Sequence, residues 1–272
     1  MRNRFTPLLC LAALLCAGAA ELVAQAMPTS QPAMLQIYRE TIKPGMSAAH
    51  EANESGWPRA FAQAGSQDWY LAMESMTGQD EVWFIQPFAS YTAMGKIMDS
   101  NAANASLSAE LGRLQTADGA YLSEVSVLEA MAVPALSYGA FPDLNKQRFW
   151  EISLWRIRPG HDADFFAATA AYKKIVDKAA PQMSWRTYRV TAGMPAGTYL
   201  IFSSVAAFSQ FDQMMEQGQA VDKAITPQDQ AMFKKFFSEG MAFGITNRYR
   251  LSPTMSFVSP ETKAADPGFW NK

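Results

Sequence analysis

The pentapeptide Ile42-Lys43-Pro44-Gly45-Met46 returns as Ile157-Arg158-Pro159-Gly160-His161, 115 residues further along the chain. In each copy a strand-like run precedes the Pro-Gly pair and a helix-like run follows it. Pro at the second position and Gly at the third suit a type II turn. This recurrence constrains the fold more than any other feature, because a repeat of this length predicts two similar units.

The offset between the copies grows only slowly along the chain. Trp69 aligns with Trp185 at an offset of 116, and Gly119 aligns with Gly240 at 121. Each copy has the element order β-α-β-β-α-β of the ferredoxin-like unit. We therefore predict an α+β fold in which two tandem units cover each other's sheets. The predicted segments are residues 33–131 and 148–251 for the two units, 132–147 for a linker, and 252–272 for a proline-containing C-terminal tail on the surface.

Turn and cap residues refine the element pattern. Residues 47–64 read as one helix that Pro58 kinks or breaks. Gly78 and Gly193 mark two predicted hairpins. Thr226 followed by Pro227 predicts a helix start with a capping hydroxyl.

Residues 1–26 resemble an export signal. Arg2 and Arg4 precede an apolar stretch, and Ala24-Gln25-Ala26 supplies a small-x-small cleavage site. A membrane anchor is the weaker alternative, because the apolar run is shorter than the ~20 residues that span a bilayer. We predict a periplasmic or secreted protein with no membrane span after cleavage. Both cysteines, Cys10 and Cys16, lie in this segment, so the mature chain has no disulfide or thiolate site.

The charge balance argues against nucleic acid as a partner. The chain has 23 Lys and Arg against 25 Asp and Glu, a net charge of -2, and no basic run beyond the first residues. A nucleic-acid-binding surface would need a concentrated basic patch.

The strand-Pro-Gly-helix start at residues 35–45, repeated at residues 150–160, resembles the dimeric α/β-barrel superfamily. Within it, the start is most similar to the NIPSNAP and antibiotic-biosynthesis-monooxygenase-like groups. The resemblance implies an intrachain barrel, with the chain either a monomeric internal pseudo-dimer or part of a higher homo-oligomer. Members include haem-degrading enzymes, cofactor-free oxygenases and chlorite dismutases. The resemblance implies the fold, but it carries no set of catalytic residues across.

His50 is the histidine with the more informative neighbours. It aligns with Phe165 on the sheet-facing stripe, and Asn53, Glu54 and Trp57 share its side of the helix. A histidine and a carboxylate four residues apart could bind a metal, hold a haem or act as a base. Alternatively, they form a polar patch in which His50 bonds to Glu54, or a pair at the solvent edge. Because the pair lacks the third ligand of a catalytic zinc, no metal site is predicted.

The copies differ most where a site would be expected. We hypothesise that His50, Glu54 and Trp57 line a helix-to-sheet cleft in copy one, which Phe165 and Tyr172 fill in copy two. Another mismatch aligns Glu40 with Trp155. The candidate ligand-binding residues are therefore Glu40, His50, Asn53, Glu54, Trp57 and Trp155. His161, aligned with Met46, is expected to be neutral and to face solvent.

The strands of copy one are mainly acidic, and those of copy two are mainly basic. Glu74 and Glu81 represent the first set, and Arg248 and Arg250 represent the second. These charges could pair between the copies, or the arginines could gather an anionic ligand.

The leading functional hypothesis is an exported protein that binds a small, partly apolar molecule in a helix-to-sheet cleft. The alternatives are a cofactor-free oxygenase or haem-handling enzyme, and a structural or assembly role. The sequence requires no cofactor, although haem is compatible with the resemblance, and it leaves open whether the protein is an enzyme.

Overall fold

The structure, a computed structural model, describes residues 27–271, so the predicted export signal lies outside the described residues. The strands within this range are β1 (Met34–Ile42), β2 (Tyr70–Ser75), β3 (Glu81–Phe88), β4 (Leu122–Ala132), β5 (Phe149–Ile157), β6 (Arg186–Ala192), β7 (Thr198–Val205) and β8 (Met241–Phe257). The α-helices are α1 (Ser47–Glu54), α2 (Gly56–Gln63), α3 (Tyr91–Ala103), α4 (Ala105–Asp118), α5 (Asp162–Ala179), α6 (Gln210–Ala224), α7 (Pro227–Lys235), α8 (Pro260–Ala265) and α9 (Pro267–Trp270).

The eight strands form a closed antiparallel barrel in the order β1-β3-β2-β8-β5-β7-β6-β4. The order β4-β1-β3-β2 in the first half of the chain matches β8-β5-β7-β6 in the second half. Pairing of β2 with β8 and of β4 with β6 joins the halves and closes the barrel. The prediction of a mixed α and β fold that closes into an intrachain barrel is confirmed.

Alternation along each strand separates the barrel interior from the face covered by helices. On β1, Leu35 and Ile37 point inward and are buried. Ile42 belongs instead to a second cluster, formed with α2 and α4 on the outside of the barrel. Full burial of one such aliphatic side chain stabilises the folded state by roughly 1.5–3 kcal/mol. The period of two therefore also places Glu40 on the helix-covered face.

Both Pro-Gly turns have the predicted conformation. The φ angles of Gly45 and Gly160 are +82° and +88°, the left-handed values that a type II turn requires at its third position. Met46 N–H donates to the carbonyl of Lys43 over 3.0 Å. The turns aim α1 and α5 back across the outer face of the sheet.

The helix predicted for residues 47–64 is divided at Ser55 and not at Pro58. Pro58 lies in the first turn of α2, where its missing N–H leaves no hydrogen bond unmade. A Cβ atom at Gly56 would lie 2.6 Å from Leu114 Cδ2, so α2 packs directly against α4 at this point. The break therefore coincides with the close approach of two helices.

The expectation that residues 252–272 lie on the surface is wrong for part of this segment, mainly residues 255–259 and Trp270. Strand β8 continues to Phe257, and Trp270 is only 4% exposed and belongs to the barrel core. Arg148 pairs with Asp266 and places its guanidinium 3.9 Å from the centre of the Phe269 ring. The segment covers one end of the barrel because its apolar side chains are buried there. The unit and linker boundaries themselves stay a prediction.

Within residues 27–271, no helix combines the length and the apolar composition that crossing a membrane requires.

Candidate functional site

A buried polar cluster, formed by Glu40, His50 and Glu54, lies between β1 and α1. Glu40 points from β1 toward the helices. His50 and Glu54 lie one helical turn apart on the face of α1 that packs toward β1. His50 is 0% exposed and Glu54 is 3% exposed. Three of the predicted ligand-binding residues therefore meet, in the protein interior and not at a solvent edge.

The contacts within this cluster connect strand to helix. His50 Nε2 lies 2.9 Å from Glu40 Oε2, so the imidazole bonds to Glu40 and not to Glu54 as one alternative supposed. One ligand atom from each of the three side chains lies within 4.8 Å of the other two. Glu40 thus supplies the third donor group that the helix pair lacked in the sequence.

Burial holds the pKa of the Glu54 carboxyl well above its usual range, and the nearby charges of Glu40 and Asp118 raise it further. Burial also raises the pKa of Tyr70, with added contributions from Glu54, Asp68 and Glu40. The charged groups acting on Glu54 are therefore all acidic. With its pKa raised this far, the Glu54 carboxyl keeps its proton at neutral pH, so the cluster without a ligand does not carry two full negative charges.

Asn53, another predicted ligand-binding residue, has a different set of contacts. Its Nδ2 donates to Asp118 Oδ1 over 2.7 Å and to the carbonyl of Leu114 over 3.1 Å. These bonds tie α1 to α4. Asp118 is only 4% exposed, so Asn53 holds a buried carboxylate beside the cluster.

Several buried polar atoms in this region have no protein hydrogen-bond partner. His50 Nδ1 and Glu54 Oε1 belong to the cluster, and Tyr70 Oη lies close by. An unsatisfied buried polar group costs about 1–3 kcal/mol. Their concentration here marks a place where the protein offers polar contacts that its own side chains leave unused.

A second feature, the aromatic cleft, lies between the outer face of the sheet and the helices of the second half. It has a volume of about 810 Å³. Its aromatic lining consists of Trp155, Phe165, Tyr172, Trp185, Phe233, Phe236 and Phe237. Hydroxyl groups of Ser153, Thr169 and Ser203 also line it, and Asp222 and Lys234 lie at exposed positions on its rim.

The hypothesis that Phe165 and Tyr172 fill the second cleft is wrong. The rings pack against the walls: Phe165 stacks on Phe236 with centroids 5.6 Å apart, and Tyr172 contacts Trp185 at 5.8 Å. Trp155 lines this cleft, whereas His50, Glu54 and Trp57 do not. Phe233, Phe236 and Phe237 also line this cleft, and they were not among the ligand-binding residues predicted from the sequence.

A smaller, apolar cavity of about 110 Å³ lies at the end of the barrel that the C-terminal segment covers. Trp150, Tyr188 and Phe257 are among its lining residues. Its size suits a molecule no larger than a single ring, and the aromatic cleft is the more capacious site.

Ion pairing accounts for several of the strand charges. Arg250 Nε lies 2.7 Å from Glu74 Oε2 across the junction of β8 and β2, which belong to different halves. Arg248 instead pairs with Glu151 within the second half. Arg186 donates to the backbone carbonyls of Tyr138 and Gly139. The arginines therefore do not converge on one anion site.

Comparison with known proteins supports the fold. No family model matches the chain, and no curated protein matches it. A solved structure named "Putative monooxygenase" from Fusobacterium nucleatum has a TM-score of 0.52 at 8% identity, covering 80% of this chain and 91% of its own. An anthrone oxidase-like protein has a TM-score of 0.52 at 10% identity, covering 82% and 93%. Both are similar to this chain in fold.

Haem, which the superfamily resemblance made possible, does not fit the residues of either region. Among the described residues that line the aromatic cleft there is no histidine or cysteine to bind the iron. Burial and the charge of Asp222 raise the pKa of Tyr172, which disfavours the phenolate form that binds iron. His50 is fully buried and bonded to Glu40.

Proposed function

We propose that this protein binds a flat, largely apolar molecule in the aromatic cleft. The observation that carries the proposal is a cavity of about 810 Å³ walled by seven aromatic side chains. Ligand pockets have volumes of ~300–1,000 Å³ and combine apolar walls with a few polar groups that orient the ligand. The wall rings offer faces and edges to a planar ligand, and the hydroxyls of Ser153, Thr169 and Ser203 supply the polar groups.

Quenching of tryptophan fluorescence by anthrone, used as a planar probe, tests the proposal. Trp155 and Trp185 line the cleft and report on its occupation. Thr169→Phe places a ring in the cavity and is expected to weaken binding at least tenfold. Ala167→Phe, which adds a ring at a neighbouring exposed position of α5, is the matched control. Equal affinity in Thr169→Phe and wild type, with both folded by circular dichroism, would rule the cleft out.

A second candidate function is oxygenation of such a ligand without a cofactor. The fold shared with the Fusobacterium protein and the anthrone oxidase-like protein supports it. Asp222, the carboxylate on the cleft rim, is the candidate base. With anthrone the balanced reaction consumes one O₂, removes two hydrogens from the CH₂ carbon and yields anthraquinone and water.

An oxygen electrode distinguishes catalysis from binding alone. Oxygen uptake with anthrone that falls at least tenfold in Asp222→Asn, at unchanged fluorescence affinity, would support catalysis. Binding without oxygen uptake above the protein-free rate would leave the binding proposal standing and reject the oxygenase.

We further infer that the two halves arose as a tandem pair of ferredoxin-like units, so that one chain forms an internal pseudo-dimer. The matching strand orders and the repeated Pro-Gly turns support this. Export to the periplasm or medium is proposed from residues 1–26. N-terminal sequencing of protein from a secreting host tests it, since export predicts a start near Met27. The closer likeness to the NIPSNAP group stays a prediction.

A further inference from the structure

The buried polar cluster lies in the other half of the chain from the aromatic cleft, and the proposed binding function does not use it. Its residues come from a strand and a helix that the first Pro-Gly turn joins. It brings one imidazole and two carboxylates within 4.8 Å of one another. Two of its buried atoms, His50 Nδ1 and Glu54 Oε1, have no protein partner.

We propose that Glu40, His50 and Glu54 bind one divalent transition-metal ion, such as Zn²⁺, in the interior of the first half. The sequence predicted no metal site because the helix pair lacked a third ligand, and Glu40 is that ligand. Catalytic zinc sites likewise have three protein ligands and a fourth position left open, although their usual sets contain more histidine or cysteine than this one.

The donor chemistry selects the class of ion. Imidazole nitrogen suits zinc, copper, iron and nickel, whereas Mg²⁺ and Ca²⁺ prefer sites made of oxygen alone. Glu54 releases its proton when the ion binds, so that the two carboxylates supply hard oxygen donors and two negative charges, which match a divalent ion. Asp118, held by Asn53 beside the cluster, adds further negative charge.

The distances are close to those of a formed site. Two ligands that each lie ~2.1 Å from a tetrahedral zinc ion are ~3.4 Å apart. The present limit of 4.8 Å therefore closes with side-chain shifts of about an ångström. The His50 and Glu40 atoms, at 2.9 Å, are already as close as two ligands of one ion.

The surroundings of the cluster favour one defined geometry. Asn53 fixes α1 to α4 through Leu114 and Asp118, so the helix that carries two ligands is held in place. Tyr70 Oη is a buried donor without a protein partner in the same region, and the Trp57 side chain lies within hydrogen-bonding reach of the Glu54 carboxyl. Such groups can bond to carboxylate oxygens that do not face the ion, as outer partners do in metal sites.

A zinc titration tests the proposal. The chain beginning near Met27 is first stripped of metal with a chelator, and zinc binding is then followed by native mass spectrometry and calorimetry. Wild type is expected to bind one Zn²⁺ per chain and to gain thermal stability on binding. Glu54→Gln and Glu40→Gln keep the side-chain shapes and are each expected to weaken binding at least tenfold. His50→Ala is expected to abolish it.

His161→Ala is the matched control, because His161 is the other histidine of the chain and lies outside the cluster, 2.7 Å from Asp164. It is expected to bind zinc like wild type. Circular dichroism of the metal-free variants shows whether weaker binding results from the missing metal-binding side chain or from unfolding of the variant. If His50→Ala does not fold, the two Gln variants still test the proposal. Wild type that binds no zinc at 1 mM, or zinc binding unchanged in both Gln variants, would overturn the proposal.

Discussion

His50 on α1 contacts Glu40 on β1, ten residues earlier, just as Phe165 on α5 contacts Trp155 on β5, also ten residues earlier. A buried polar pair in the first half occupies the place that an aromatic pair occupies in the second. The 2.9 Å contact makes His50 dependent on Glu40. In metal-free protein, we expect Glu40→Ala to lower the free energy of unfolding by about 1–3 kcal/mol, because it leaves His50 Nε2 buried and unpaired.

Urea denaturation in the presence of a chelator measures this effect. Glu40→Gln retains an oxygen that accepts from His50, and we expect its cost to stay below about 1 kcal/mol. Glu124→Ala, an exposed position on β4, serves as the control and is expected to change stability by no more than about 0.5 kcal/mol. Equal costs for the Ala and Gln changes at Glu40 would contradict the role of this hydrogen bond.

Asp68 predicts a specific pH dependence of stability. Burial raises its pKa from 3.8 to about 6, although Asn101 donates a hydrogen bond to it. A raised folded-state pKa means that the folded state binds more protons between pH 3.8 and about 6, so stability falls as pH rises through that window. As the pH rises from 5 to 7.5, the free energy of unfolding of Asp68→Asn should increase relative to that of wild type by about 1 kcal/mol. This figure is reduced to allow for the partial exposure of Asp68.

Chemical denaturation of both proteins across this pH range gives the comparison. Because the other titrating groups are common to the two proteins, their contributions cancel in the difference. A difference that stays flat with pH, or that changes in the opposite direction, would contradict the raised pKa of Asp68.

Substitution of glycine by alanine is expected to have opposite effects in the two Pro-Gly turns and inside helix α4. Ala at Gly45 or Gly160 must adopt a φ above +80°, and we expect each change to cost about 1 kcal/mol. Gly112 lies inside α4 with open space around its Cα, so Gly112→Ala should stabilise by about 0.5–1 kcal/mol. Thermal unfolding of the three variants checks the signs, and a neutral Gly45→Ala would argue against the left-handed turn.

The pair of Glu74 and Arg250 tests how charge joins the halves. Arg250 is 60% exposed, so we expect Glu74→Arg or Arg250→Glu to cost no more than about 1 kcal/mol. The double exchange should recover most of that loss, as measured by a double-mutant cycle. Two outcomes would show that this contact contributes nothing to the junction. Either the single charge reversals do not change stability, or the double exchange loses as much stability as the two single changes added together.

Trp270 tests the role of the C-terminal segment. Because its indole is buried in the barrel core, we expect Trp270→Ala to cost about 3 kcal/mol. Phe208→Ala removes a ring that is 52% exposed and should cost less than about 1 kcal/mol. Similar denaturation midpoints for these two variants would mean that the segment is not part of the folded core.

The sequence predicts the elements of this fold well, because turn glycines and strand patterns are local signals. It also identifies Glu40, Trp155 and His50 as positions where the copies differ. The meeting of Glu40 with His50 depends on how α1 lies across β1, which no spacing along the chain specifies. The open cleft depends on whether Phe165 and Tyr172 lie along the walls or across the space between them. Trp270 was misplaced because prolines near it suggested an exposed tail.

The length of β8 sets an order of events for folding. Its first part pairs with β5 and its last part pairs with β2, so a strand that leaves the ribosome after both of them closes the junction between the halves. Until it emerges, the edge of β2 that faces away from β3 offers unpaired backbone groups to other chains. A chain truncated before residue 249 therefore lacks the partner of this edge, and its first half retains an open, aggregation-prone edge.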